Sequence, residues 1–425
     1  MKISRLIYCT LLWLARPLLR LRLYRRARKQ PEYAQHIEER FGEYALVVDK
    51  PVIWIHAVSL GETRAAEPLV KQLLQQYPQH QILLTHMTPT GRAAGAELFG
   101  DKVQRCYLPY DYPQAVKKFL AHFRPRIGII METEIWPNLF AASREKNIPL
   151  LLVNARLSQK SASRYRWIAP LVRDALSSLH HVAVQTDNDA KRFRELGSKD
   201  ISVSGNMKFD VVVPEEMIAR GQQLREQFGI QRPVFLVASS REGEEIQLID
   251  YIELFSIPDL LIVIVPRHPQ RFDEVATLIQ KRGLKMQRRS ANQAIDADTK
   301  VVLGDSMGEM FAYYVACDVA FVGGSLLPLG GQNIIEACAV GKPVIVGPHT
   351  FNFAEAVENA LICGAAMQVA DVKALAEKVN ELFKQPMRRV QMSQAGLAFC
   401  AQHQGATARV MRIIGDAEKR YYRAS

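Results

Sequence analysis

The chain has 425 residues, too many for one ordinary α/β core, so two domains are the natural expectation. Hydrophobic residues make up 48% and charged residues 23%, which excludes a disordered chain, and no repeat or low-complexity tract interrupts it. The net charge of +12 is unevenly placed: residues 1–30 hold nine Lys/Arg and no acid, leaving 46 basic against 43 acidic residues elsewhere, which argues against nucleic acid as a partner.

The first element in chain order is the apolar run Leu6–Ala15, interrupted by Arg16 and Pro17 and continued to Leu23. A membrane span needs about 20 apolar residues, and this run reaches that length only if Arg16 is tolerated. Residues 1–30 therefore read as a membrane anchor, either a short span or an amphipathic helix in the interface. Arg22, Arg25, Arg26, Arg28 and Lys29 would face anionic headgroups, and the positive-inside rule keeps the bulk of the chain in the cytoplasm. A buried first helix is the plainer alternative.

After residue 50, short apolar runs alternate with helical stretches. Expected strands are 52–55, 82–84, 127–131, 150–153, 182–184 and 201–203, then 234–238, 260–265, 301–303, 319–322, 343–346 and 366–369. Continuous apolar runs mark strands buried on both faces, and strand–helix alternation builds parallel doubly wound sheets. A polar break at 211–232, with an expected helix at Glu215–Phe228, separates the two series. The resulting domains are 31–212 and 213–425, with a cleft between them; the last helices either close the second domain or cross back to the first. Six cysteines without C-x-x-C spacing read as buried, reduced thiols.

The chemistry is expected in the loops at strand C-terminal ends. His56-Ala-Val-Ser59-Leu-Gly61-Glu62-Thr63 places Glu62 at a strand end, where it is either a general base or a first-turn acid favoured by the helix dipole. Thr88-Pro-Thr-Gly91 reads as a helix N-cap. Met131-Glu132-Thr-Glu134-Ile-Trp136-Pro-Asn138 brings two acids, a Trp and an Asn together, a sugar-binding combination, with Pro137 starting a helix. Arg156 in Asn154-Ala-Arg-Leu-Ser158 suits an anionic acceptor.

In the second half the loops are Ser239-Ser-Arg241-Glu242-Gly-Glu-Glu245, Pro266-Arg267-His268-Pro269, Gly304-Asp-Ser-Met307-Gly308-Glu-Met310, and Gly323-Gly-Ser325 through Gly330-Gly331-Gln-Asn333-Ile-Ile-Glu336. Glycines let backbone approach a phosphate, and a helix starting at Asn333 would point N–H groups at it. Asn333-x-x-Glu336 and Ser239-x-x-Glu242 are also capping-box patterns. No G-x-G-x-x-G or Walker A sequence is present.

Taken in order, HAVSLGET, MTPTG, LPYD, METEIWPN, NARLS, Gly205 to Asp210 with KFD, SSREGEE, VPRHPQRF, GDSMGEM, FVGGSL, GGQNIIEA and GPHTFNF resemble the 3-deoxy-D-manno-octulosonic acid (Kdo) transferases of lipid A and lipopolysaccharide assembly. The resemblance implies an α/β GT-B fold of two Rossmann-like domains with an N-terminal membrane-associated helix. It implies Kdo transfer from CMP-Kdo to a lipid A precursor, the tetraacyldisaccharide 4'-phosphate (lipid IVA), at the cytoplasmic side of the inner membrane, inverting and with no metal or cofactor. Glu62 then becomes the catalytic base. Ser239, Glu242, Arg267, His268, Met307, Gly308, Gly331, Asn333 and Glu336 are assigned to CMP-Kdo, and Glu132, Arg156 and Lys208 to the acceptor. A transferase or epimerase using a UDP-sugar, and a non-catalytic protein binding acidic lipids, are the alternatives.

Overall fold

The computed structural model describes residues 3–422; residues 1–2 and 423–425, at the ends of the expected anchor and second domain, lie outside the described residues. The chain forms two compact units. The first holds residues up to Asp210 together with the segment from Gln404, and the second runs Val211–His403.

The first unit carries a seven-stranded parallel sheet. Its strands are β1 (Val52–His56), β2 (Gln81–His86), β3 (Gln104–Tyr107), β4 (Ile127–Met131), β5 (Leu150–Ala155), β6 (His181–Val184) and β7 (Ile201–Val203). Their order is β3-β2-β1-β4-β5-β6-β7. In register, Trp54 lies beside Leu83 and Gly128. Alternate residues feed two layers. Trp54, Leu83, Ile130 and Leu152 pack on one face, and Ile53, Ile55, Ile129 and Leu151 on the other. Burying each such side chain contributes about 1.5–3 kcal/mol, which is why the runs are apolar throughout and do not alternate. The two unforeseen strands, β3 and its counterpart β10 below, are edge strands. Gln104-Arg-Cys-Tyr107 and Met286-Gln-Arg288 are only half covered and carry polar residues.

The second unit has its own seven-stranded parallel sheet. The strands are β8 (Val234–Ser240), β9 (Leu261–Pro266), β10 (Met286–Arg288), β11 (Val301–Leu303), β12 (Val319–Val322), β13 (Val344–Val346) and β14 (Ala366–Gln368), in the order β10-β11-β9-β8-β12-β13-β14. The expected helix Glu215–Phe228 opens this unit. In a doubly wound sheet, ligands bind where the strand order reverses. That point falls between β1 and β4 in one sheet and between β8 and β12 in the other.

From Gln404 the chain returns to the first unit, and the helix Ala406–Tyr422 packs against the helix Glu67–Gln76. Asp210 holds this return. Its carboxylate accepts the backbone N–H groups of Gly405 and Thr407 at the start of that helix, while Arg409 Nε donates to Ser204 O at 2.7 Å. Losing such a charged cap costs about 1–2 kcal/mol. Asp210→Ala is therefore expected to speed hydrogen exchange in 404–419 selectively, with the sheet strands still protected; uniform protection would contradict this role.

The expected single N-terminal helix is instead two, Ile3–Leu14 and Arg16–Lys29, because Pro17 favours a helix start. Among the described residues no helix is long and apolar enough to cross a membrane. The first helix docks on the first unit. Arg5 pairs with Glu145 at 3.4 Å, Cys9 Sγ donates to Asn138 Oδ1 at 3.3 Å, and Tyr112 donates to Leu12 O at 3.2 Å. Tyr8 hydrogen-bonds the buried carboxyl of Asp111. Asp111 also accepts from Asn138 N at 2.9 Å and Leu139 N at 2.8 Å, at the start of the helix Pro137–Glu145. The outer face leaves Ile3, Ile7, Leu11, Trp13 and Leu14 exposed. Of the six cysteines, Cys106, Cys317, Cys338 and Cys400 are buried and reduced, Cys9 is half-buried, and Cys363 is exposed.

Candidate active site

At the reversal of the first sheet, β1 ends at His56 and the helix Leu60–Ala65 begins two residues after Val58. Ser59 adopts extended backbone at the N-cap, which makes Glu62 the third residue of that helix. Its carboxylate bends back, accepting from Val58 N at 2.8 Å and from Ser59 Oγ at 3.2 Å. A capping acid at a helix start is ordinarily stabilised as its anion. Glu62 is not. Burial, then the charge of Glu132, with Glu134 adding, push it up to about 8, against the opposing pull of Val58 N–H and the Ser59 hydroxyl. It is a carboxyl poised to exchange a proton near neutrality, the property a general base requires.

The neighbouring acids follow β4. Glu132 has a left-handed backbone, φ 57°, and lies 3.7 Å from Lys208 Nζ. Burial raises Glu134 to about 7, with the charge of Glu132 adding. Trp136 meets the buried His56 ring edge-on at 6.0 Å. Burial also lowers His56 to about 3, so that imidazole is neutral. Thus Glu62, Glu132 and Lys208 come together. Arg156 does not join them through its side chain, which is exposed; its carbonyl accepts from Thr133 Oγ1. Thr88 is a helix N-cap, accepting from Gly91 N at 3.1 Å.

At the reversal of the second sheet, the loops after β8 and β12 are joined by one carboxylate. Glu244 is fully buried. It accepts from Arg241 N at 2.9 Å, Gly324 N at 2.6 Å, Ser325 N at 2.9 Å and Leu326 N at 2.9 Å. Gly323 passes so close that a Cβ would sit 2.7 Å from Ser240 Cα and 3.0 Å from Glu244 Oε2, so only glycine fits. The second glycine pair folds back on the first, with Gly331 N donating to Gly324 O at 2.6 Å and Gln332 N to Gly323 O at 3.0 Å.

The loop after β9 is fastened to the same place. Arg267 N donates to Ser240 O at 2.9 Å, and buried Arg271 reaches Glu245 at 2.7 Å, which also accepts from Ser240 Oγ at 2.8 Å. Burial lowers His268, and the charges of Arg241, Arg267 and Arg271 lower it further, outweighing Glu242. Arg241 and Arg271 are paired with Glu242, Glu245 and Glu274 beside it. The loop after β11 leaves Met307 exposed, with Gly308 at φ +77° and open space where a side chain would be. Ser239 reaches that segment through Met310 Sδ at 3.7 Å.

Two expected helix starts differ from the sequence reading. The helix after β8 is Glu244–Asp250, capped by Gly243 at φ 89°, so Ser239 and Glu242 form no capping box. Glu242 is half exposed and pairs with Arg241 at 3.1 Å. The helix after β12 is Ile335–Ala339, one turn long. Asn333 accepts from Ile335 N and donates to Glu336 Oε1, both at 3.1 Å, so its amide helps orient Glu336. Sequence reasoning also passed over Glu244 and Asp111 as single residues. The signal for Glu244 was its place as the middle acid of Glu242-Gly-Glu244-Glu245, immediately after a glycine.

Comparison with known proteins places these features in a family context. Residues 35–211 match the family model described as 3-deoxy-D-manno-octulosonic-acid transferase (kdotransferase), and residues 225–398 match glycosyl transferases group 1. The chain is 44% identical to the 3-deoxy-D-manno-octulosonic acid transferase of Bordetella pertussis, across 94% of this chain and 96% of that protein. It is 38% identical to the protein of the same name from Haemophilus influenzae, across 96% and 98%. A solved glycosyltransferase from Rickettsia africae, 15% identical, shares the fold with a TM-score of 0.57 over 89% of this chain and 100% of that one.

Proposed function

The chain belongs to the 3-deoxy-D-manno-octulosonic-acid transferase family and is a glycosyltransferase, and from that premise we propose that it transfers Kdo from CMP-Kdo to a lipid A precursor, lipid IVA, on the cytoplasmic side of the inner membrane. The observation that carries the mechanism is the raised carboxyl of Glu62 at the end of β1. Glu62 takes the proton from an acceptor sugar hydroxyl. The freed oxygen bonds to the anomeric carbon of Kdo while the carbon–phosphate oxygen bond breaks on the opposite face, so the centre inverts. CMP leaves with the bonding pair. Arg267, with the backbone of the glycine turns, offsets its charge. Glu132 and Lys208 orient the acceptor.

The N-terminal helices support attachment in the plane of the lipid interface. The first helix exposes an apolar outer face, and each basic residue from Arg22 to Lys29 on the second, near an anionic surface, contributes about 1 kcal/mol.

Incubating the purified protein with lipid IVA and CMP-Kdo, with UDP-sugars supplied in parallel, tests the reading. Mass spectrometry is expected to show Kdo-bearing lipid from CMP-Kdo alone and to count the additions. A product formed from a UDP-sugar, or none from CMP-Kdo, overturns it. The base also makes a pH prediction. A carboxyl at about 8 is ionised in only about a tenth of molecules at pH 7, so kcat/KM is expected to climb tenfold per pH unit below pH 8 and level off above it. A profile flat from pH 6 to 9 would remove Glu62 from the role.

A further inference from the structure

The helix Gln159–Trp167 follows β5 and carries Lys160, Arg164 and Arg166 but no acid. Its inner face packs on the core through buried Ala162 and half-buried Tyr165. Its end is different. Trp167 is 88% exposed and Ile168 beside it 49%. A tryptophan so uncovered forfeits most of the gain from burying its ring, and beside Ile168 on a basic helix it matches the amphipathic side chains that sit at a lipid–water boundary. The next helix, Ala169–Leu176, packs against the N-terminal helix Ile3–Leu14. The corner is therefore joined to the element whose outer face exposes Ile3, Ile7 and Trp13.

Both elements have the same chemistry. The helix Gln159–Trp167 couples exposed apolar groups to lysine and arginine, and the N-terminal helices divide them, Ile3–Leu14 exposing apolar side chains and Arg16–Lys29 basic ones, the composition that settles at the boundary between acyl chains and anionic headgroups. Arg166 is paired with Glu195 at 2.9 Å, but the helix as a whole stays basic. We propose that the Trp167–Ile168 corner is a second lipid-interface contact, so that the first unit rests on an anionic bilayer through two separate elements and not through its N-terminal helices alone. The inference builds on the lipid attachment of those helices. It adds that their removal leaves a residual, Trp167-dependent affinity for the bilayer.

The full-length protein with Trp13→Phe is mixed with phosphatidylglycerol vesicles carrying brominated acyl chains. Trp54 is fully buried and Trp136 half-buried, so the part of the quenching that Trp167→Phe removes reports Trp167. Strong quenching is expected. In parallel, Trp167→Ala with Ile168→Ala is expected to weaken partitioning onto plain phosphatidylglycerol vesicles ~10-fold, with circular dichroism unchanged. Vesicle binding without quenching, or with undiminished partitioning of the double variant, overturns the second contact and leaves the N-terminal attachment standing. Failure of the unaltered protein to bind vesicles overturns both. A lipid-free dimer that the double variant dissociates would assign the corner to a second copy of the chain and overturn the proposal.

Discussion

Glu62→Gln is expected to lower the rate of Kdo transfer by about 10²–10⁴-fold while leaving CMP binding intact. The amide keeps the size of the carboxyl but cannot take a proton. Its hydrogen bond to Val58 N can persist through the amide oxygen, so the helix start survives. The same change is expected to raise stability at alkaline pH. Glu62 titrates near 8 when folded and near 4.5 when unfolded. Between those values the unfolded chain has shed a proton the folded chain still holds, so stability falls as pH rises through that window. Glutamine removes the loss. The melting temperature should therefore rise by a few degrees at pH 8.5 and stay unchanged at pH 4. Residual transfer within tenfold of the unaltered enzyme, or a lower melting temperature at pH 8.5, would show that Glu62 serves the fold and not the chemistry.

Glu244→Ala is expected to destabilise the second unit by about 3–5 kcal/mol and to weaken CMP binding more than tenfold. The reason is the number of groups it satisfies. Four backbone N–H donors, one from the loop after β8 and three from the loop after β12, converge on one buried carboxylate. Alanine leaves all four donors without an acceptor in a site closed to water. Glu242→Ala, two residues earlier, removes only a half-exposed acid paired with Arg241 and should cost less than about 1 kcal/mol. Chemical denaturation of both variants, with CMP titrated by calorimetry, checks the contrast. Equal effects would mean that the carboxylate does not hold the glycine turn.

The contrast between these two acids also shows where sequence reading stops. Both lie in one motif, and nothing in their spacing says which turns inward. That depends on Gly243 taking a left-handed φ of 89° and starting the helix at Glu244. Central strands such as β1 and β4 were legible because two-sided burial leaves a continuous apolar run. The edge strands β3 and β10 were not, because one open side admits Gln104, Arg105, Gln287 and Arg288. Glu62 was legible as a position and, through the resemblance, as the candidate base, but its surroundings were not. Its raised carboxyl comes from Glu132 and Glu134, some 70 residues away in the chain, and only the neighbouring of β1 and β4 brings them near. Asn333 was singled out for CMP-Kdo, and its spacing did not foretell that one amide N–H goes to Glu336 while its oxygen accepts from Ile335 N.

The bond network around Asp111 has a further consequence. One carboxyl grips both Tyr8 of the first helix and the two leading N–H groups of the helix that ends the Glu132–Trp136 loop. The first helix and the loop that raises Glu62 are thus bolted to a common post. With that helix in the lipid interface, as proposed, the depth of the chain in the bilayer would be a fixed measuring stick for the acceptor hydroxyl. An acceptor would be selected by how far its sugar stands above the acyl chains, and lengthening those chains should matter far less than adding or removing a sugar ring.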